Sequence, residues 1–239
     1  MYNQQLKYDI KFDWGLNGLY NLSKNSDIII IIDVLSFSTC VDIALNNGGI
    51  IFPFDETCGD INKYALDNSA VIANKDRQAG SFSLSPGSMM NIKNGDRVIL
   101  PSPNGSSLSL KSNCSQTICG CLRNAVSIAG FLNEGNYRIG IIAAGEKWND
   151  GSIRYCIEDY IGAGSIISNI NGKKSPEASL AEITYKNLTD SVYNIIKCSC
   201  SGLELEDRGF INDVELACRE NTSSAVPLLF ENKYYKNIK

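Results

Sequence analysis

Five consecutive isoleucines, Ile28 to Ile32, run into an aspartate in the stretch DIIIIIDVLSFSTC, Asp27 to Cys40. The run is far shorter than the roughly 20 apolar residues that span a bilayer. Its β-branched side chains disfavour a helix and suit a strand. With no polar residue alternating through it, the strand must be buried on both faces. That arrangement belongs almost entirely to parallel sheets covered by helices. The same chain then places a carboxylate, Asp33, at the end of the run, followed by the hydroxyls of Ser36, Ser38 and Thr39.

The rest of the pattern is consistent with that start. STCVDIALNNGG reads as a helix, with Ser38 or Thr39 as its cap and Asn47-Gly48-Gly49 as its end. IIFPF is a strand, ETCGDINKYALDN a helix and SAVIANK a strand. Residues 74–96, rich in Gly, Ser and Asn, read as a long surface loop of the kind that often carries function. RVILPSPNG then gives a strand and turn, SSLSLKSN a short helix, SQTICGCL a strand and RNAVSIAGFLN a helix. YRIGIIAAGE is a strong strand and RYCIEDYIGAGSIISNI a helix. Its glycines, Gly162 and Gly164, suggest close packing of helix on sheet. Residues 176–220 hold two to four helices, AVPLLF a late strand, and the last nine residues a polar tail in which Tyr234 and Tyr235 are as able to stay loose as to pack. The expected fold class is α/β: one domain over residues 1–239, an open, mostly parallel sheet covered by helices as an αβα sandwich, with a helical C-terminal portion at about 155–220.

Composition removes several functions. A net charge of -4 without a basic stripe argues against nucleic acid. The polar start MYNQQLKYDIKFDWG has no apolar signal region, so the expected location is the cytoplasm, with no membrane partner. The nine cysteines are odd in number, and their two C-x-C pairs, Cys119/Cys121 and Cys198/Cys200, lack the spacing of a zinc site. Cys119 and Cys121 read as small buried side chains of a strand. With no histidine in the chain, Ser-His-Asp and Cys-His catalysis are excluded.

Polar residues collect where strands end, which is where open α/β sheets bind ligands. These are Asp33, then Asn104-Gly105-Ser106, then Arg123-Asn124, then Glu146-Lys147. In a parallel sheet those four ends would share one rim. Asp33 is unlike a solvated turn residue or a cap, since hydroxyls beside it already serve as caps. Asn104 is equally readable as a plain turn residue and Glu146 as an exposed loop acid. Beyond them lie Asp150, Arg154, Glu158 and Asp159, with Arg154 and Glu158 spaced to pair on a helix. Carboxylates without histidine point to a hard cation such as Mg2+. The turns at Ser36–Thr39 and Asn104–Ser107 are candidate anion sites at helix starts, although no Walker loop is present. Together these features suggest chemistry on a phosphate ester or another small anion. The D-x-D-x-T pattern of haloacid dehalogenase-type phosphatases fails, because Leu35 stands at its second position.

IIDVLSFSTCVDIALNNGG, LPSPNGSS, GCLRNAVSIAGFL, AAGEKWNDGSIRYCIEDYIGAGSII and SGLELEDRGFINDVELACRENTSSAVPLL, in that order, resemble the 2-phosphosulfolactate phosphatase family from about residue 8 to 230. The resemblance implies Mg2+-dependent hydrolysis of a phosphomonoester, (R)-2-phospho-3-sulfolactate, to sulfolactate and phosphate, a step toward coenzyme M. Asp33 matches the Asp of its D-V-L motif, Asn104 and Gly105 its Asn-Gly turn, and Asn124 an Asn of its sfLNA-like segment. Glu146 matches its acidic residue after a strand, and Glu158-Asp159 its helix start. Two positions depart: Ser36 stands where the family usually has Arg, and SLSP (Ser83 to Pro86) where it has a GNSP-like loop. Arg77, Arg123, Lys147, Arg154 and Arg208 are the residues that could restore the charge.

The expected site therefore has Asp33, Glu146 and Asn104 as catalytic residues. Ser36, Ser38, Thr39, Gly105, Ser106, Arg123, Asn124, Lys147 and Arg154 bind the small anionic substrate. Mg2+ is held among Asp33, Glu146, Glu158 and Asp159, and the attacker is either a metal-bound water or Asp33 itself. The rival readings are a binding protein for such an acid without turnover, and a Mg2+-dependent lyase or transferase. A homodimer is the default assembly for a small enzyme.

Overall fold

The computed structural model describes residues 2–239 apart from 75, 78, 79, 149 and 189–191. The chain opens with β1 (Ile10–Trp14) and α1 (Gly15–Ser23), then β2 (Ile28–Ile32), α2 (Phe37–Asn46) and β3 (Ile50–Phe54). It continues through α3 (Ile61–Asn68), β4 (Val71–Ile72), α4 (Pro86–Met89), β5 (Arg97–Pro101) and α5 (Gly105–Leu110). Next come β6 (Gln116–Gly120), α6 (Ala125–Asn133), β7 (Ile139–Ala143) and the small strands β8 (Glu146–Lys147) and β9 (Ile153–Arg154). Five helices follow, α7 (Ile157–Ile167), α8 (Pro176–Lys186), α9 (Val192–Lys197), α10 (Cys200–Asp207) and α11 (Ile211–Ala217). The chain closes with β10 (Pro227–Phe230) and β11 (Tyr234–Asn237).

The isoleucine run is β2, and all five side chains are fully buried. The two-residue period of a strand divides them between faces. Ile28, Ile30 and Ile32 join the core under α6, α7 and α8, while Ile29 and Ile31 join Leu19 and Leu22 of α1 and Leu108 of α5 on the opposite face. At about 2 kcal/mol for each buried side chain, β2 is the anchor of the sheet.

The sheet has nine strands in the order β1-β7-β2-β6-β10-β11-β3-β5-β4. The pairs β1/β7, β7/β2, β2/β6, β3/β5 and β5/β4 are parallel. The pairs β6/β10, β10/β11 and β11/β3 are antiparallel. The expected α/β sheet, mostly parallel and covered by helices, is therefore present, but the C-terminal hairpin divides it into two parallel blocks. Three antiparallel pairings separate the blocks, so they run in opposite senses. The tips of β2, β6 and β7 share a rim, as expected, whereas β5 belongs to the other block and meets that rim only through the turn after it.

The polar tail is thus a core strand. Tyr235 is fully buried, packs edge-on to Phe37 and donates its hydroxyl to Ser109 Oγ at 2.7 Å. Alternation hides it, because the charged neighbours Lys233 and Lys236 mask the one inward side chain. Residues 74–96 also differ from a simple surface loop, since α4 and its flanks bury Met89, Ile92, Ser83 and Ser85. Gly162 packs against the sheet, where an added Cβ would lie 2.7 Å from Val34 Cγ2. Gly164 instead lets α8 approach, since its Cβ would lie 2.2 Å from the Ala181 carbonyl. Cys119 and Cys121 are buried thiols, pushed up from their ordinary value by burial. No helix among the described residues is long and apolar enough to cross a membrane.

Because β11 joins the two blocks, its one buried ring should control global stability. Tyr235→Ala should lower unfolding free energy by about 3–5 kcal/mol, and Tyr235→Phe, which loses only the bond to Ser109, by about 0.5–1.5 kcal/mol. Urea denaturation of the two variants checks this ordering.

Candidate active site

The tips of β2 and β7 lie side by side, with Ile32 opposite Ala143. The first turn of α7 meets them there. Asp159 accepts the Val34 N–H at Oδ1 (2.8 Å) and the Gly145 N–H at Oδ2 (2.9 Å). One carboxylate thereby fixes the turns that carry Asp33 and Glu146. Burial holds the Asp159 carboxyl well above its usual range, and the charges of Asp33 and Glu158 push the same way.

Asp33 is 6% exposed, which removes the solvated-turn reading. Its Oδ2 accepts the Gly105 N–H at 2.8 Å and the Ser102 hydroxyl at 3.4 Å. Only glycine allows this approach. A Cβ on Gly105 would lie 2.2 Å from the Phe37 ring and 2.7 Å from Asp33 Oδ2. Burial pushes the Asp33 carboxyl from 3.8 up to about 7; the Gly105 N–H opposes this and the charge of Glu146 adds to it. Asn104, next to Gly105, donates its side-chain amide to Glu146 Oε1 at 2.9 Å. Asp33, Asn104, Gly105, Glu146 and Asp159 are thus brought together from the three turns after β2, β5 and β7 and from the first turn of α7. Glu158 lies buried beside them, and its Oε2 has no hydrogen-bond partner.

Several other candidate residues shape the backbone. Ser38 Oγ accepts the Asp33 N–H at 3.2 Å, and Thr39 donates to the Val34 carbonyl at 2.7 Å, so both stabilise the turn that precedes α2. Ser106 donates back to the Leu100 carbonyl. Asn124 accepts the Cys121 N–H at 2.9 Å and is fully buried. Arg123 is engaged inside the fold by Asp42 at 2.8 Å and by the Leu216 carbonyl at 3.0 Å. The structure does not join these last two to the Asp33 cluster, because their polar groups already serve β6, α2 and α11. Arg154 lies on β9 and not on a helix with Glu158; it donates to Ser201 Oγ at 3.2 Å and lies over the Trp148 ring. Arg208 pairs with Glu204 on the exposed side of α10.

Among the five basic residues that could replace the missing arginine, Arg77 is the one that reaches Ser36, with Nη2 3.3 Å from Ser36 Oγ. Asp213 of α11 holds its other nitrogen and also accepts from Ser85 Oγ and the Gly87 N–H. Lys147 lines two cavities of about 560 and 570 Å³. The first has Ser102, the hydroxyl partner of Asp33, in its wall, together with Ser107 and Lys111; the second includes Asn104. Sequence reasoning missed Ser102, Lys111 and Asp213. Ser102 and Lys111 flank the Asn-Gly turn and were open to discovery, whereas Asp213 carries no local signal.

Among the described residues, none of Asp33, Glu146, Glu158 and Asp159 forms an ion pair with Lys or Arg. No three Cys, Asp or Glu side chains converge as a metal-binding group there either. A protein-only cage of four carboxylates is thus not formed. The arrangement suits a cation such as Mg2+, which takes one or two carboxylates and completes its shell with water and phosphate oxygens. Glu146 and Asp33 fit that role best, since both oxygens of Asp159 already accept backbone N–H groups.

Asp33 also sets a pH dependence. Its folded pKa lies above the unfolded one, so with rising pH the unfolded chain ionises first and stability falls from about pH 4 to about pH 7. In EDTA, Asp33→Asn should therefore be more stable than the parent at pH 8, by on the order of a few kcal/mol. The gap should close toward pH 4. Urea unfolding at pH 4, 6 and 8 checks the sign.

The sequence profile of 2-phosphosulpholactate phosphatase matches residues 17–232. The chain is 27% identical over 209 residues to the 2-phosphosulfolactate phosphatase of Methanothermobacter thermautotrophicus, covering 86% of this chain and 88% of that one. It is 22% identical to a probable 2-phosphosulfolactate phosphatase of Caldanaerobacter subterraneus subsp. tengcongensis, over 88% and 92% of the two chains. A third relative of the same printed name, from Pseudothermotoga lettingae, is 24% identical over 87% and 92%. The ordered motifs, the joined turns of Asp33, Asn104-Gly105 and Glu146, and this near full-length match agree that the chain belongs to the 2-phosphosulpholactate phosphatase family.

Proposed function

We propose that the protein is a Mg2+-dependent phosphomonoesterase that hydrolyses 2-phospho-3-sulfolactate, or a close phospho-acid, to the free hydroxy acid and phosphate. The family membership and the names of the relatives support the reaction class. The observation that carries the site assignment is the buried Asp33 carboxylate, aimed by the Gly105 N–H and surrounded by other carboxylates without a paired cation. Burying negative charge in this way is unfavourable unless a cation or a proton compensates it.

Asp33 is the general base. Its buried carboxyl is raised toward neutral pH before any cation binds, and it lies at the tip of β2, where it would accept a proton from water. Gly105 and Ser102 fix its Oδ2. Asn104 keeps Glu146 oriented beside it. Mg2+, held by Asp33 and Glu146, would neutralise charge on the phosphoryl oxygens. Arg77, aimed at Ser36 and braced by Asp213, supplies positive charge at the start of α2, where the family's usual arginine is replaced by serine.

The test is phosphate release from racemic phosphosulfolactate in Mg2+ and in EDTA. Release in Mg2+ and its loss in EDTA are expected, and Asp33→Asn should fall by at least about 100-fold while remaining folded by circular dichroism. Ligand-induced stabilisation without phosphate release would replace hydrolysis by simple binding. With a phosphoryl group made chiral by oxygen isotopes, direct attack by water should invert the configuration at phosphorus; retention, from two displacements through an aspartyl phosphate, would make Asp33 the nucleophile.

A further inference from the structure

The cavity of about 560 Å³ beside Asp33 holds a cation that the hydrolytic step does not use. Lys111 caps the C-terminal end of α5, the same short helix whose first residue is Gly105. Its side chain is 31% exposed and is held in place twice. It donates to Ser107 Oγ at 2.8 Å, one turn back, and it lies 3.7 Å from Asp55 Oδ2. The second contact is electrostatic only, because Asp55 Oδ2 has no hydrogen-bond partner. An ammonium carries three donors. Among the described residues one of them is used, so the others are available to the cavity.

Lys147, on β8, also lines this cavity and forms no ion pair among the described residues. The two lysines outweigh the one carboxylate of the lining, Asp55, which Thr57 already engages. Phe54 and Leu84 supply apolar wall. The cavity therefore differs in sign from the acidic rim next to it. An acidic rim suits a metal and phosphate, whereas a positive, partly apolar chamber suits a negatively charged carbon chain. Ser102 joins the two, because it lines the chamber and bonds Asp33.

We propose that Lys111 is a specificity-determining residue that binds a second anionic group, carboxylate or sulfonate, on the carbon chain of the phosphorylated substrate, with Lys147 across the same cavity. This rests on the phosphatase reading above. A fixed lysine reads charge without the planar fork of arginine, which suits a chamber that accepts either group. Charge recognition here sorts acids from neutral phosphate esters, and it leaves the reacting phosphoryl group to the Asp33 rim.

The test compares the parent, Lys111→Met and Lys111→Arg on three esters: 2-phospho-3-sulfolactate, 2-phospholactate and glycerol 2-phosphate, which carries no acid beyond its phosphate. Lys111→Met should lower kcat/KM for the acidic esters by about tenfold or more relative to glycerol 2-phosphate, mainly through KM. Lys111→Arg should recover most of the loss. Loss on both acids assigns the carboxylate, and loss on the sulfonated ester alone assigns the sulfonate. An equal change on all three esters, or none, overturns the proposal. If the parent hydrolyses none of them, the phosphatase reading fails, and thermal stabilisation by 3-sulfolactate decides the lysine's role. A shift in the parent that Lys111→Met abolishes upholds it, and a shift that is equal in both or absent in the parent overturns it.

Discussion

The carboxylate of Asp159 accepts one backbone N–H from the turn after β2 and one from the turn after β7, and the arrangement of the acidic rim depends on that double bond. Two adjacent parallel strands would otherwise release their chains in independent directions. With both turns tied to the first turn of α7, Asp33 and Glu146 leave the sheet on fixed courses. Gly162, one turn further along α7, lets the helix sit close enough on Ile32 and Val34 for the bonds to form. One carboxylate of the rim thus positions two others, at the cost of adding a third acid to the same region.

That charge accumulation is destabilising by itself. Burial and mutual repulsion hold both Asp33 and Asp159 above the ordinary carboxylate range. A fold selected only for stability would place lysine or arginine there, as it does at Asp42 with Arg123 and at Asp213 with Arg77. The contrast between these paired acids and the unpaired rim, within one chain, singles out the rim more sharply than burial alone. Arg77, Lys111 and Lys147 form no ion pair with the rim carboxylates among the described residues.

Much of this was legible in the sequence. The isoleucine run specified a doubly covered strand, and the aspartate singled out after it is buried. The Asn-Gly turn and Glu146 were found as strand-end residues, and the structure bonds them together. What was not legible depended on long-range pairing. β1 was missed because Lys11 and Asp13 alternate with Ile10 and Phe12, although Lys11 is itself buried and donates to the Asn25 carbonyl. β11 was read as a tail because one inward tyrosine is a weak signal. Without β10 and β11 between the blocks, the end of β5 appeared to share the rim of β2, β6 and β7; Arg123 and Asn124 were drawn into the predicted site because their partners, Asp42, the Leu216 carbonyl and the Cys121 N–H, are set by the fold.

Ser36 shows why position in a motif and function in space are different things. The family's usual arginine after D-V-L is absent, and a reading confined to that motif would conclude that its charge is lost. In the folded chain a guanidinium arrives from 41 residues away and meets the Ser36 hydroxyl. Asp213 braces Arg77 from α11, and the same carboxylate holds Ser85 of the SLSP segment and Gly87 just after it. The two departures from the family pattern therefore meet in one network. The guanidinium that meets Ser36 is therefore held by a remote carboxylate on α11 and not by the motif that carries Asp33.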